Sequence, residues 1–311
     1  MCAKMVNHPQ MTGMRGLTQQ AALRSSVLNF PKKVALVDVP HGYKKESYEE
    51  LWLRSNRLAN VLTGLGIKKG DKVAYWMEEC AEHVEIWYAT AKVGAVWSGI
   101  NTRYTGKEAE YLLNHSDAVV MIISPEYVDQ VKSIQSGLKN IKDYIVLGER
   151  DIEGIPSYEA LLAKVSDKDP EVEVRDNDLD NLTYTSGTTG TPSGSIRTHS
   201  SGLAWEFNLI QCCGFTHDTK LIAWTPNYHW GGAIFTRPVL TVGGTKWIVA
   251  KPDAKEALEI AESERINYIA TVPSVAMILC TYPDIDKYDT SSVKGFYCSG
   301  SAFLTPQRKL V

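Results

Sequence analysis

The 311-residue sequence contains no apolar run approaching the roughly 18 residues that a membrane-spanning helix needs. Its opening, M-C-A-K-M-V-N-H-P-Q, lacks the apolar centre of a secretory signal, so cytoplasmic residence is the expectation. The six cysteines (Cys2, Cys80, Cys212, Cys213, Cys280 and Cys298) form no C-x-x-C pair and no zinc-ligand spacing. Free thiols in a reducing compartment fit that pattern, and the adjacent Cys212 and Cys213 read as helix residues instead of a bridge. A net charge of −3 supplies no positive field to gather nucleic acid or an acidic membrane. No sequence repeat of about 20–50 residues is visible, which argues against a solenoid. What is present, 44% hydrophobic and 22% charged residues over a length that buries a full core, describes a globular chain of two packed lobes.

Apolar periodicity and punctuation predict strands alternating with helices of about ten residues. Residues 1–16 read as a tail, Thr18 to Asn29 as a helix and Val34–Val39 as a strand. Ser47-Tyr48-Glu49-Glu50 and Thr105-Gly106-Lys107-Glu108 have the form of capping boxes that open helices. Lys72–Met77, Ala95–Ile100, Ala118–Ile123 and Tyr144–Leu147 read as strands, the third apolar throughout and therefore buried on both faces. Glu82–Lys92, a segment from Pro125 through Tyr127–Ile134, and Ser157–Val165 read as helices between them. Residues 166–181 are charged and aperiodic, a solvated connector. The alternation then resumes, with strands at Leu221–Thr225, Thr245–Ala250, Tyr268–Val272 and Val293–Cys298. Helices are expected over Ser200–Gln211, Trp230–Leu240, Lys255–Arg265, Pro273–Cys280 and from Thr305-Pro306 onward. Repeated βαβ units imply an α/β fold with mainly parallel sheets, two sheet subdomains being expected over 1–180 and 181–311. The chain stops at Val311 inside that last helix, which suggests a fragment.

Residues 183–194 read T-Y-T-S-G-T-T-G-T-P-S-G. Gly187, Gly190 and Gly194 allow close backbone approach to a ligand, and Thr185, Ser186, Thr188, Thr189 and Ser193 supply short hydroxyl donors. Converging amides and hydroxyls are what phosphate oxygens require, although a Gly/Ser/Thr tether has the same composition. The apolar strand ending at Thr185, with Ser195–Thr198 able to pair back on it, favours a site held between strands.

This stretch resembles the phosphate loop of the AMP-forming acyl-adenylate family, which comprises acid–CoA ligases, peptide-synthetase adenylation domains and firefly-type luciferases. The family's T-S-G-T-T-G-x-P-K-G stands here as T-S-G-T-T-G-T-P-S-G over residues 185–194. Further likenesses are Ser47–Leu51, Gly70–Met77, Gly99–Arg103, Pro226-Asn227-Tyr228-His229-Trp230-Gly231, Val272-Pro273-Ser274 and Ser299–Pro306. Two features depart from the pattern: Ser193 replaces the loop lysine, and the family's later motifs, including its C-terminal lid, have no counterpart before Val311. Arg197 or Arg103 would compensate for the lysine only if the fold brought one of them close.

The resemblance implies the large N-terminal domain of that family, two βαβ-type sheet subdomains in αβαβα layers, with the lid domain absent. It also implies a reaction in which a carboxylic acid attacks the α-phosphorus of ATP. Acyl-AMP and pyrophosphate form, and coenzyme A then takes the acyl group. Thr185 would help hold magnesium, while Ser186, Gly187, Thr188, Thr189, Gly190, Ser193 and Gly194 would wrap phosphate. His229 would act between acid and phosphate. Gly300, Ser301, Ala302 and Phe303 would form the adenine wall, with the Phe303 ring either stacked on the base or filling core. Tyr228, Trp230 and Gly231 are candidates for the acyl pocket, with Phe235 and Val272 beside them. The other tryptophans, Trp52, Trp76, Trp87, Trp97, Trp205, Trp224 and Trp247, read as core. A fragment alone would turn over poorly. ATP, magnesium, CoA and a small acid are the implied ligands, no nucleic acid or membrane span is expected, and a homodimer is left open. A nucleotide-binding relative weakened at Ser193 is the alternative, as is an adenylating enzyme with another acceptor. The absence of an aspartate from Pro226–Arg237 argues against a peptide-synthetase pocket.

Overall fold

The computed structural model describes residues 16–185 and 193–301. The chain begins with α1 (Gln19–Asn29), β1 (Val34–Asp38), β2 (Lys44–Ser47), α2 (Tyr48–Gly64), β3 (Lys72–Trp76), α3 (Glu82–Val93) and β4 (Val96–Gly99). There follow α4 (Gly106–Ser116), β5 (Ala118–Ile123), α5 (Val128–Ile134), β6 (Asp143–Val146) and α6 (Tyr158–Leu162). After the connector come β7 (Leu179–Thr185), β8 (Ser193–Thr198), α7 (His199–Cys213), β9 (Lys220–Ala223), α8 (Trp230–Thr241) and β10 (Thr245–Ile248). The last described elements are α9 (Ala254–Ser263), β11 (Tyr268–Thr271), α10 (Pro273–Cys280) and β12 (Gly295–Cys298). The expected tail up to residue 15 and the helix expected from Thr305 lie outside the described residues.

Local chemistry sets the boundaries. At Ser47 and Thr105 both capping boxes form: the hydroxyl accepts the third N–H of its helix, and Glu50 or Glu108 reaches back to the cap. Helix α3 ends at Gly94, whose φ of 69° is left-handed and suits glycine.

The strands form two six-stranded sheets. One runs β6-β5-β3-β4-β7-β8, the other β12-β11-β9-β10-β1-β2, and each is parallel except for an antiparallel edge strand, β8 or β2. Strand β2 was not foreseen: its residues K-K-E-S have no apolar alternation, and its strand form comes from pairing with β1 at the sheet edge. Sheet membership does not follow the division expected at residue 180. That boundary runs through β7, the N-terminal β1 and β2 join the sheet built by β9–β12, and β7–β8 complete the sheet of β3–β6.

Alternation along the strands builds the layers. Leu36 and Ile248 from one sheet and Val73, Tyr75, Trp97 and Val120 from the other meet Leu58 of α2, Trp87 of α3 and Ala233 of α8 in one buried core between the sheets. The opposite faces are covered separately, Ala74, Met121 and Ile123 by α4 and α5, and Val37, Ile222 and Trp247 by α9. The order is therefore helix, sheet, helix, sheet, helix. Within the central layer Arg237 of α8 and Asp180 of β7 are both fully buried and paired through two bonds of 2.6 and 3.2 Å. The guanidinium lies beside the stacked pair Trp87 and Trp97, 5.5 and 5.6 Å from their centroids. Trp205 departs from expectation: it is 53% exposed on the outer face of α7, where Gly202, Leu203 and Glu206 make the inward side.

Candidate active site

Parallel strands present their carboxyl ends on one edge, and in open α/β sheets ligands bind just beyond that edge. In this chain the edges of the two sheets face each other. A cavity of about 520 Å³ is lined by Glu79 and Arg103, just past β3 and β4, and by Thr225, Lys251 and Val272, just past β9, β10 and β11. The buried Thr225 hydroxyl and Trp224 indole N–H on its wall have no partner among the described residues. Polar atoms buried without partners are costly, so such a wall fits a polar ligand. A second cavity of about 230 Å³ touches Gly99, Tyr104, Tyr184 and His229. Pro226 and Tyr228 border both spaces.

The turn from Pro226 to His229 that separates them is tied down at Asn227. Its N–H donates to Glu79 Oε1 at 2.7 Å, its carbonyl accepts from the Tyr75 hydroxyl at 3.0 Å, and its side-chain oxygen accepts from Lys246 Nζ at 2.9 Å. Lys246 is buried and also donates to Thr236 at 2.7 Å. Burial pushes the Glu79 carboxyl up to about 7, against the pull of Lys246, and burial pulls the Lys246 amine down to about 8, against the pull of Glu79. Gly99 is needed where β4 meets this turn, since a Cβ there would sit 2.5 Å from the Tyr228 carbonyl oxygen.

His229 caps the N-terminus of α8. Its Nδ1 accepts the N–H of Gly231 at 3.1 Å, which leaves the neutral ring protonated at Nε2. Burial first, and then the cation of Arg197, hold its pKa below the ordinary histidine value. The ring is therefore a neutral donor at pH 7. Arg197 comes from β8, where it donates to Thr183 Oγ1 at 3.2 Å and lies 4.3 Å over the Trp230 ring. The strand register aligns Thr183 with Ser195 and Thr185 with Ser193, so β7 and β8 are antiparallel neighbours; residues 186–192, which join them in sequence, lie outside the described residues. Gly194 packs closely, since a Cβ there would fall 2.9 Å from Leu182 Cδ1, a side-chain end that would have to shift.

The AMP-binding enzyme family model matches residues 23–309. The chain belongs to that family. Among its relatives, the long-chain-fatty-acid–CoA ligase of Thermus thermophilus is 27% identical over 262 residues, which are 83% of this chain and 48% of the ligase. The indoleacetate–CoA ligase of Aromatoleum aromaticum is 30% identical over 267 residues, 84% of this chain and 51% of its own length. The crystal structure of the anthranilate CoA ligase AuaEII in complex with anthranoyl-AMP covers 94% of this chain and 57% of its own, with a TM-score of 0.88 at 22% identity, a likeness of fold. The chain thus spans about half the length of the curated relatives it matches.

Within this AMP-binding domain the predicted residues fall unevenly. His229, Gly231, Tyr228 and Trp230 come together at the turn and the start of α8. Trp230 is 9% exposed and belongs to the central core, and Phe235 is buried against Tyr297 in another. Val272 reaches the larger cavity, and Gly300, with φ of 89°, follows β12, where a Cβ would stand 3.5 Å from Val272 Cγ1. Ser301 is exposed and Ser193 is exposed on β8, while Thr185 ends β7. Ser186, Gly187, Thr188, Thr189, Gly190, Ala302 and Phe303 lie outside the described residues. Sequence reasoning missed Glu79 and Lys246. No local motif marks them, because their meeting under Asn227 depends on the packing of two sheets. No described helix is long and apolar enough to cross a membrane.

Proposed function

We propose that the protein is an AMP-forming acid–thiol ligase domain, which joins a carboxylic acid to the α-phosphate of ATP and serves transfer of the acyl group to coenzyme A. The observation that carries this reading is the neutral His229, its Nδ1 taken by the Gly231 N–H and its Nε2–H without a partner among the described residues, at a turn between two sheet edges, with Arg197 of β8 beside it. Adenylation needs positioning and charge stabilisation more than a protein nucleophile. The carboxylate oxygen bonds to the α-phosphorus, the bond to the pyrophosphate oxygen breaks, and no proton has to move. In this role His229 donates a hydrogen bond from Nε2 to an oxygen at the junction, and the turn held by Asn227 keeps that donor in place.

The cavity wall fits a nucleotide and acid through its unpartnered hydroxyl and indole donors. Gly300 and Ser301, at the end of β12, are proposed for the adenine, and Tyr228 with Gly231 for the acyl group. Thr185 is proposed for the magnesium that accompanies the triphosphate. Among the described residues no three His, Cys, Asp or Glu side chains cluster as a metal site. Ser193 in place of lysine supports a second reading, a domain that binds nucleotide and turns over little.

The test is carboxylate-dependent exchange of pyrophosphate into ATP over a panel of aliphatic and aromatic acids, together with calorimetric binding of a stable acyl-AMP analogue. Exchange and binding together support the ligase, and binding without exchange supports the second reading. A chain that does neither is not an adenylating domain.

A further inference from the structure

Strand β8 brings a cation to His229 that the phosphate-loop sequence does not supply. Arg197 is half-buried on β8, and its burial works against its charge. Among the described residues its partners are a neutral hydroxyl, Thr183 Oγ1 at 3.2 Å, and the face of Trp230 at 4.3 Å. No carboxylate among the described residues lies within ion-pair distance of it. The acid whose field reaches it, Asp180, is already held by both arms of Arg237. A guanidinium carries five N–H donors in a rigid plane, and a ring stacked on that plane fixes where they point. The result is an oriented, partly desolvated cation with donors that no further described residue takes, close enough to His229 to lower that ring's pKa. A site arranged in this way lacks one component, an anion.

We infer that Arg197 and His229 together bind the anionic oxygens at the acyl–phosphate junction. This rests on the adenylation reading above. When a carboxylate approaches an α-phosphate two anions meet, and a cation held beside them offsets their repulsion without reorganising during the step. Ser193, where the resemblance places a lysine, stands four residues earlier on the same face of β8. The positive charge thereby stands four residues further along β8, over the Trp230 ring and within reach of His229. Trp230 acts as a positioning residue through Arg197, which gives its ring a role besides core packing.

Calorimetric titration of the whole chain with AMP and with adenosine, for the wild type, Arg197→Gln and Arg197→Lys, tests the inference. Arg197→Gln is expected to weaken AMP by about 10- to 100-fold, as for a charge-assisted bond, and to leave adenosine unchanged. Arg197→Lys is expected to recover part of the loss, since it keeps the charge and loses the planar fork. AMP binding that is unchanged in Arg197→Gln overturns the inference and leaves the adenylation reading standing. Equal weakening of adenosine also overturns it, because that shows a structural role for the arginine. A wild-type chain that binds neither AMP nor adenosine overturns both readings.

Discussion

Replacing Arg237 by methionine removes one side of the buried pair at the centre of the molecule while filling similar space. Asp180 then remains fully buried, its nearest ionisable neighbour being His199 at 3.7 Å. Removing one partner of a buried ion pair costs about 3–5 kcal/mol, because the other charge is left uncompensated. The cation beside Trp87 and Trp97 is lost as well, worth about 0.5–2 kcal/mol. The penalty should depend on pH. Burial alone would raise the Asp180 carboxyl, but Arg237, with help from His199, outweighs it and holds the group below its usual value. A depressed carboxyl contributes stability that is present above the unfolded pKa and lost as pH falls through the folded one. In the variant burial wins, the carboxyl rises, and the folded state takes up a proton more readily than the unfolded chain. Lowering the pH therefore helps the variant relative to the wild type, by up to about 1.4 kcal/mol per unit of rise. Urea unfolding followed by tryptophan fluorescence at pH 7.5 and pH 5 reads both effects. A penalty below about 1 kcal/mol at pH 7.5, or one equal at the two pH values, would refute the argument.

Glu206 accepts from Gln19 at 2.6 Å and from Thr241 at 3.2 Å, and burial pushes its carboxyl up to about 7 despite the pull of Arg237. A raised carboxyl means the folded state holds the proton longer, so stability falls as pH rises from about 4.3 to 7. Glu206→Gln should flatten that slope and gain most above pH 7, which melting curves across pH will show; parallel slopes for the two proteins would count against it. Gly99→Ala should cost about 1–3 kcal/mol and weaken binding of an acyl-AMP analogue, because the new Cβ meets backbone at the His229 turn. Gly64→Ala, whose Cβ would meet nothing within 4 Å, is the control expected to be neutral or stabilising in the same melts.

Much of the fold could be read from neighbouring residues. Both capping boxes formed with reciprocal bonds, Gly94 closed its helix, and Ala118–Ile123 is a strand over the predicted span. These features depend on chemistry within a few positions of the chain, where side-chain type is informative. Strand β2 escaped notice because its form comes from a partner strand and not from an apolar pattern. The exchange of strands between sheets escaped for a related reason: register between distant segments leaves no mark in either one alone. The site divides in the same way. The residues 226–231 announce themselves as a motif, and the structure gathers them at one turn. Glu79, Lys246 and Arg237 look like ordinary charged residues in sequence, and their meaning comes from long-range neighbours, Asn227 and Asp180, that only folding supplies.

The pairing of β1 with β10 joins Leu36 to Lys246. During synthesis, at about 5–20 residues per second, the first strand would wait roughly 10–40 s for its neighbour to leave the ribosome. Until then the apolar residues of V-A-L-V-D have only the β2 ribbon beside them, and a two-stranded ribbon is marginal in water. The amino-terminal ribbon thus stays an unfinished sheet edge for most of synthesis. Its charged companion K-K-E-S is well suited to keep that unfinished edge from recruiting another nascent chain.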